Sequence, residues 1–184
     1  MERVVSVAPG VYEEDNMLTY DKFIMALRAT DDEGVKERNR KLCERYPFLK
    51  YHSGGEDLDG YDYDLTYLDD MPEGWSDAFG VQMCEELRDI LIEGDYLDEY
   101  TVFQVKEKYG RLCWDDGGVP YEIWDKYTTW MNKYEKLSGE TCVACGKPGK
   151  MIYKYWISPW CEDCFRKLHG KDKNYEEWCS PSLS

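Results

Sequence analysis

Histidine and long apolar runs are the two features that this sequence most clearly lacks. The 184 residues include only two histidines, His52 and His169, so most catalytic triads that depend on histidine are excluded. No stretch approaches the roughly 18 consecutive apolar residues that a membrane-spanning helix needs. The apolar patch from Val4 to Ala8 gives way at once to acidic residues. The sequence therefore predicts neither a membrane span nor a signal peptide.

Positive charge is also scarce. Lys and Arg number 23 against 38 Asp and Glu, which gives a formal net charge of -15 at pH 7. A protein of this charge should repel bare nucleic acid and anionic membranes at long range. Residues 1–137 hold 16 basic and 32 acidic residues, whereas residues 138–175 hold 7 and 4. We interpret these ranges as an acidic body and a mildly basic module, followed by a C-terminal tail over 176–184.

Aromatic residues, by contrast, are abundant. The chain has 16 Tyr and 7 Trp within a hydrophobic fraction of 42%. Such side chains bury a large apolar surface, but their polar tips need hydrogen-bond partners. A chain of this length can bury about 70% of the surface that its unfolded state exposes. This composition predicts a folded protein with one main domain and a small appendage.

The strongest helical signal follows the segment from Pro72 to Ser76. Apolar residues recur there at helical spacing and share one face. They are Phe79, Met83, Leu87, Ile90 and Leu91. Gly94 is well suited to end this helix.

Three further helices are predicted in the body. One runs from Thr19 to Arg28. A second covers roughly Glu33 to Tyr46, because Pro47 disfavours helical geometry in the residue before it. A third opens at Pro120, which suits a first helical position, and continues to about Leu137.

A β-hairpin is predicted from Thr101–Glu107 and Arg111–Trp114, with Gly110 in the left-handed conformation at the turn. The residues from Lys106 to Arg111 would expose charge to a partner, although ordinary turn solubility explains them as well. Together with the helices, the hairpin predicts an α+β fold, in which a helical body with a β-hairpin is followed by a small zinc-ribbon module.

The segment from Tyr51 to Asp70 shows neither helical nor strand periodicity, and we predict a long surface loop. Its aspartates from Asp57 to Asp64 raise the possibility of calcium. An EF-hand loop, however, needs Gly at its sixth position, where Asp62 stands, and Glu at its twelfth. A solvated acidic loop with aromatic anchors is the favoured interpretation, and loops of this kind are also common in protein-binding surfaces.

Half of the eight cysteines fall into two CxxC pairs. Cys142 and Cys145 are separated by 15 residues from Cys161 and Cys164. This spacing is typical of zinc ribbons, in which each pair directs two thiolates at an ion about 2.3 Å away. A disulfide scaffold is the alternative, but such scaffolds are usually small secreted chains with denser cysteine. The pattern therefore favours a reducing cytosol and a bound metal.

Four cysteine ligands would fill the coordination shell, so the pattern predicts structural rather than catalytic Zn²⁺. Two disulfides or a redox-active dithiol remain alternatives. His169 and Cys179 are substitute ligands, although His169 is more simply explained by the preference of histidine for a helix C-terminus.

Local structure within the module is also predicted. Gly146 suits a position with positive φ. Alternation of Met151, Tyr153, Tyr155 and Ile157 predicts one strand between the pairs. A short helix should begin at Cys164 and end near His169.

The isolated cysteines Cys43, Cys84 and Cys113 are expected to be small buried residues rather than nucleophiles. His52, alone in a loop, is expected to be solvated. Because no compact set of nucleophile, base and oxyanion donors is present, we predict that the protein is not an enzyme. The roles of these three cysteines and of Cys179 stay open.

Five segments follow one another in a characteristic order along the chain, together with the cysteine pairs: 38–49, 62–75, 78–86, 105–110 and 156–160. In this order, over roughly residues 35–165, the chain resembles a family of small uncharacterised proteins of bacteriophages and prophages. It implies a phage origin and a cytoplasmic location in a host bacterial cell. It implies no activity and no catalytic residue.

Two functions follow as hypotheses. In the first, the protein binds a host protein and inhibits a nucleic-acid-processing or defence enzyme of CRISPR-like type, because an acidic surface competes for a basic groove. In the second, the module binds DNA or RNA as an accessory protein. Its candidate contacts are Lys147, Lys150, Lys154, Arg166, Lys167, Lys171 and Lys173, with Trp156 and Trp160 for stacking.

Overall fold

The computed structural model describes residues 32–53, 56–57 and 61–181. Its helices are α1 (Glu33–Arg45), α2 (Glu73–Trp75), α3 (Val81–Glu93), α4 (Trp124–Ser138), α5 (Glu162–His169) and α6 (Tyr175–Trp178). Its strands are β1 (His52–Ser53), β2 (Glu56–Asp57), β3 (Val102–Lys108), β4 (Arg111–Asp116), β5 (Lys150–Ile152) and β6 (Ser158–Trp160). The strands form three two-stranded antiparallel sheets, so the predicted α+β class is confirmed.

Helix α1 begins at an N-cap that the sequence supplies. The Asp32 carboxylate accepts a hydrogen bond of 2.8 Å from the backbone N–H of Gly34, and the helix ends at Arg45, before Pro47. The helix predicted over 33–46 is therefore confirmed. The helix predicted over Thr19 to Arg28 lies outside the described residues.

The helix that carries the strongest apolar signal has three parts without a break between them. Helix α2 leads into a π-helical turn, Ser76–Gly80, and then into α3. Met83, Leu87 and Leu91 on α3 are fully buried. Helix α4 lies across this face, and the indole N–H of Trp130 donates to the carbonyl of Met83 at 2.9 Å.

The β3–β4 hairpin has a two-residue turn with positive φ at both positions, 52° at Tyr109 and 78° at Gly110. This is the type I′ geometry that matches the twist of antiparallel strands. The left-handed conformation predicted for Gly110 is confirmed. A register shift between Val102 and Gln104 leaves Phe103 exposed at the far end of β3.

The prediction of a surface loop over 51–70 is wrong for its last third. Leu65, Thr66 and Tyr67 are buried, and the ring of Tyr51 stacks on Tyr67 at 4.5 Å. Burial in an irregular segment follows no helical or strand period, so it leaves no signal in the sequence.

Two of the aspartates considered for calcium already face a cation from the chain. The ammonium of Lys36 lies 3.0 Å from Asp62 and 2.9 Å from Asp64. Since the lysine holds the position that an ion would take between these carboxylates, they are paired within the fold.

The C-terminal module has a small apolar core of its own, formed by Ile152, Phe165, Tyr175 and Trp178. Trp178 falls in the range predicted as a tail, yet it is buried here. The single strand predicted through Ile157 is wrong. Strand β5 ends at Ile152, and the chain bends at Tyr155, whose φ is 62°, before β6.

Within the described part of the chain, no helix is both long and apolar enough to cross a membrane.

The packing of α3 generates a stability prediction. Leu87→Ala should lower the free energy of unfolding by about 2–5 kcal/mol, because it removes a fully buried side chain and leaves a cavity. Ile92→Ala on the exposed side of the same helix should change it by less than about 1 kcal/mol. Urea denaturation of both variants measures the difference, and equal losses would contradict the assigned core face.

Candidate metal centre

The two CxxC pairs come together in space. The sulfur atoms of Cys142, Cys145, Cys161 and Cys164 all lie within 4.8 Å of one another. The Sγ atoms of Cys145 and Cys161 are 3.6 Å apart. Four sulfurs placed tetrahedrally about 2.3 Å from one ion would be separated by about 3.8 Å. The cluster thus has the donor set and dimensions needed to hold a metal ion.

The same cysteines are not joined by disulfides. All eight cysteines are free, and the 3.6 Å between Cys145 and Cys161 is far longer than the roughly 2.05 Å of a sulfur–sulfur bond. The alternative of two disulfides therefore does not describe this structure.

The first pair lies on a tight turn closed by backbone hydrogen bonds. The N–H of Gly146 donates to the carbonyl of Cys142 at 3.0 Å, and the N–H of Cys142 donates to the carbonyl of Lys147 at 2.8 Å. Gly146 has φ of 71°, which confirms the prediction of positive φ. We call residues 142–147 the cysteine turn.

The second pair lies at a helix N-terminus. Cys161 is the N-cap of α5, and its sulfur accepts a hydrogen bond of 3.5 Å from the backbone N–H of Cys164. The short helix predicted to end near His169 is confirmed, although it begins at Glu162, before Cys164. The module is thus ordered as a turn, a short β5–β6 hairpin and a helix.

The four thiols differ in their surroundings. Burial raises the pKa of Cys164 to about 12 and also raises that of Cys161. The backbone N–H of Lys147 is the largest influence on the exposed Cys145 and lowers its pKa to about 7. A cation placed between the sulfurs would replace the protons that burial otherwise retains.

The substitute ligands His169 and Cys179 are not part of the cluster. The His169 ring lies against Phe165 at 4.9 Å and Trp178 at 4.7 Å, within the aromatic packing of the module. Cys179 packs against the same core from the C-terminal end of α6. Both residues therefore contribute to packing.

The isolated cysteines of the body lie apart from the cluster. Cys43 and Cys84 are buried, as predicted, whereas Cys113 is half-buried on β4. Burial raises the pKa of Cys43 to about 11 and raises that of Cys84 further. Since the thiolate is the nucleophilic form, these two thiols are poorly suited to nucleophilic chemistry. His52 begins β1.

Two hydrogen bonds that the sequence did not predict join the body to the cysteine turn and to the residue before it. The backbone N–H of Gly74 in α2 donates to the carbonyl of Val143 at 2.9 Å. The indole N–H of Trp75, fully buried, donates to the carbonyl of Thr141 at 2.8 Å. Helix α2, which begins the helical run 73–93, is thus hydrogen-bonded directly to the segment that carries Cys142.

The contact is close because both backbones lack a side chain where they meet. A Cβ added to Gly74 would lie 2.3 Å from the carbonyl oxygen of Cys142 and 2.5 Å from the backbone nitrogen of Gly146. A Cβ added to Gly146 would lie 2.6 Å from the carbonyl oxygen of Gly74. The Gly-Trp sequence at 74–75 and the Gly after Cys145 are the only sequence signals of this contact.

No protein-family model, curated protein or solved structure matches this chain. The site is therefore interpreted from its own geometry. Four cysteine sulfurs at this spacing are typical of closed metal sites, in which the protein fills the coordination shell.

The Gly74 contact generates the next prediction. Gly74→Ala should destabilise the protein by about 2 kcal/mol or more, because the methyl group collides with rigid backbone in the cysteine turn. Gly80→Ala is the matched control in the same helical run. Its added Cβ would meet its nearest neighbour at 3.4 Å, an ordinary contact. Thermal unfolding of both variants tests the contact, and an unchanged Tm for Gly74→Ala would contradict it.

Proposed function

We propose that Cys142, Cys145, Cys161 and Cys164 hold one structural zinc ion. The convergence of four sulfurs within 4.8 Å supports this proposal. Tetrahedral four-sulfur sites select zinc or iron, and zinc is the usual ion in structural sites of this kind. Bound zinc would offset the negative charge of the thiolates and join the cysteine turn to the N-terminus of α5.

The zinc proposal predicts a specific loss on mutation. Cys161→Ser should reduce the metal from one zinc ion per chain to a trace and unfold the module, since metal binding and folding are coupled. Cys113→Ser, outside the cluster, should retain full zinc and fold. Elemental analysis and circular dichroism of untagged protein measure both effects. Iron in place of zinc, or no tightly bound metal in the wild type, would contradict the proposal.

We further propose that the protein is a non-enzymatic binding protein of phage type that acts through an acidic surface. One part of the body supports this proposal best. Exposed carboxylates surround exposed aromatic side chains on the turn after α3, on the open end of the β3–β4 hairpin and at the start of α4. We call this the acidic face; it comprises Asp95, Asp98, Glu99, Asp115, Glu122 and Asp125, with Phe103, Tyr121 and Trp124.

Backbone contacts hold the parts of the acidic face together. Gly94 packs so closely on Ile123 that an added Cβ would lie 2.7 Å from that side chain. The N–H of Gly117 donates to the carbonyl of Thr101 at 2.9 Å. The Asp116 carboxylate at the hairpin end accepts hydrogen bonds from the hydroxyl of Tyr100, before β3, and from that of Tyr127 on α4, so the three parts lie side by side.

The charge of the acidic face is not neutralised within the described residues. None of its six carboxylates forms an ion pair there, whereas Glu93 at its edge is paired with Lys126. Tyr121 is 90% exposed. Exposed aromatic side chains are enriched in protein-binding surfaces, where a few such anchors supply most of the affinity, and unpaired carboxylates favour a partner of opposite charge.

These features favour a partner with a basic surface. A groove that binds nucleic acid has the complementary charge, and the resemblance to phage proteins favours a nucleic-acid-processing or defence enzyme of the host bacterium. Binding there would inhibit such an enzyme by occupying the position of its substrate.

The alternative, nucleic-acid binding by the module, loses support because many of its cations are already paired. Lys150 contacts Glu176, Lys154 contacts Glu177, and Arg166 contacts Glu162. Lys173 contacts Asp172 in the same way, and the cations without an ion pair among the described residues of the module, Lys147, Lys167 and Lys171, are divided between the cysteine turn and the end of α5.

The acidic face yields a binding prediction. The triple variant Tyr121→Ala, Glu122→Gln, Asp125→Asn should recover at least about tenfold less of any host nucleic-acid enzyme in an affinity purification, because it removes an aromatic anchor and two charges. Glu44→Gln, an exposed acidic position on α1, is the control and should bind as wild type. Mass spectrometry of the captured proteins provides the measurement. Equal recovery by both variants, or capture of no nucleic-acid enzyme, would contradict the proposal.

A further inference from the structure

A second exposed surface lies at the opposite end of the β3–β4 hairpin and has the reverse charge. Tyr109 at the turn is 73% exposed, and Trp156 on the β5–β6 connection is 70% exposed. Three cations, Lys106, Lys108 and Arg111, flank the turn on the two strands. We call these five residues the hairpin tip.

The cations of the hairpin tip differ from most others in this protein. Most described Lys and Arg side chains of the body form ion pairs with carboxylates, as Arg45 does with Glu85. At the tip, Lys106 donates only to the amide oxygen of Gln104, and Arg111 donates to the carbonyl of Glu135 at 3.3 Å. In the described part of the chain, no carboxylate pairs with Lys106, Lys108 or Arg111. Positive charge therefore remains available here despite the net charge of -15.

The two aromatic side chains are held in place relative to each other. The indole N–H of Trp156 donates to the Glu107 carboxylate at 2.8 Å, and the other oxygen of that carboxylate accepts from the backbone N–H of Gly110. Gly110 approaches the module so closely that an added Cβ would lie 2.3 Å from the sulfur of Met151. The hairpin and the module thus form one rigid support for Tyr109 and Trp156.

The type I′ turn explains the backbone of Tyr109, but folding does not explain why the rings of Tyr109 and Trp156 are exposed. Tyr109 has a left-handed backbone at 52°, a conformation that costs a non-glycine residue stability. Its ring and that of Trp156 contribute little to the core, because both are mostly exposed. Tyr109 follows Lys108 directly in the turn, Lys108 is the cross-strand partner of Arg111, and Trp156 is held at Glu107. Stacking surfaces and cations therefore lie at the same end of the hairpin.

We propose that the hairpin tip binds single-stranded nucleic acid. The aromatic rings stack on unpaired bases, and Lys106, Lys108 and Arg111 contact the phosphates between them, as in other stacking platforms on single strands. An acidic peptide would satisfy the cations but would offer no planar rings to Tyr109 and Trp156. A duplex would offer phosphates but keeps its bases stacked on each other. This site is independent of the acidic face, which lies at the other end of the same hairpin.

The number of cations that contact phosphates determines how strongly the binding depends on salt concentration. Three phosphate contacts correspond to a slope of about −2 in a plot of log binding constant against log salt concentration. Such an interaction without sequence preference has a dissociation constant of about 10⁻⁴ to 10⁻⁶ M. The acidic body opposes binding at long range, so we expect the weaker end of this interval.

Fluorescence anisotropy with a labelled oligothymidine, over a series of low salt concentrations, tests the proposal with the full-length protein. Trp156→Ala should weaken binding by about fivefold or more through loss of stacking, while Trp156→Phe should retain most of it. Lys106→Ala with Lys108→Ala should reduce the salt slope to about −1 or less in magnitude. The matched charge control is Lys167→Ala with Lys171→Ala, two exposed lysines on the module outside the tip, which should leave affinity and slope unchanged.

Several results would overturn the proposal. One is the absence of binding by wild-type protein at the lowest salt concentration, with circular dichroism showing that it is folded. Another is equal affinity for the duplex of the same strand, which would exclude stacking on unpaired bases. Displacement of the oligothymidine by an equal concentration of polyglutamate would show a general anion surface instead. Loss of binding in the Lys167 and Lys171 control, with retention in Trp156→Ala, would place the site at the end of α5 and not at the hairpin tip.

Discussion

The close contact between the cysteine turn and α2 is the constraint on which the rest of this structure depends. At Gly74 and Gly146 two backbones meet without side chains between them, and the amide of Gly74 and the indole of Trp75 hold the turn by hydrogen bonds. Trp75 belongs to the main core, whereas the turn carries two of the four clustered sulfurs. The cysteine cluster is therefore joined through the turn to the beginning of the helical run 73–93 in the body.

This contact also explains why the module and the body present their surfaces at fixed positions. The β3–β4 hairpin reaches from the acidic face at its open end to the module at its turn, where Gly110 approaches Met151. Its two ends differ in charge, because Asp115 lies near one and Lys108 and Arg111 near the other. A single rigid element thus separates a surface suited to basic partners from one suited to anionic partners.

The buried aromatic residues supply the stiffness that these surfaces require. Phe48, Trp114 and Trp130 meet edge to face, with centroids 6.3 Å and 5.5 Å apart. Tyr100 and Tyr127 direct their hydroxyls to one carboxylate, Asp116, and burial raises the pKa of both phenols. Tyr and Trp are therefore used in two ways among the described residues: many of their rings pack in or against the core, and others, such as Tyr109, Tyr121 and Trp156, are exposed.

Local signals in the sequence were enough to predict the helices beside Pro47, Gly94 and Pro120, the turn at Gly110 and the grouping of the four cysteines. Each depends on the conformational preferences or the spacing of neighbouring residues, which the sequence records directly. Such signals did not predict the burial of residues 65–68 or the bend at Tyr155. They also did not predict that one CxxC pair lies on a turn and the other at a helix N-terminus. The contact of Gly74 with the cysteine turn joins residues about 70 positions apart, and only the folded chain decides which backbones meet and which charged side chains find partners.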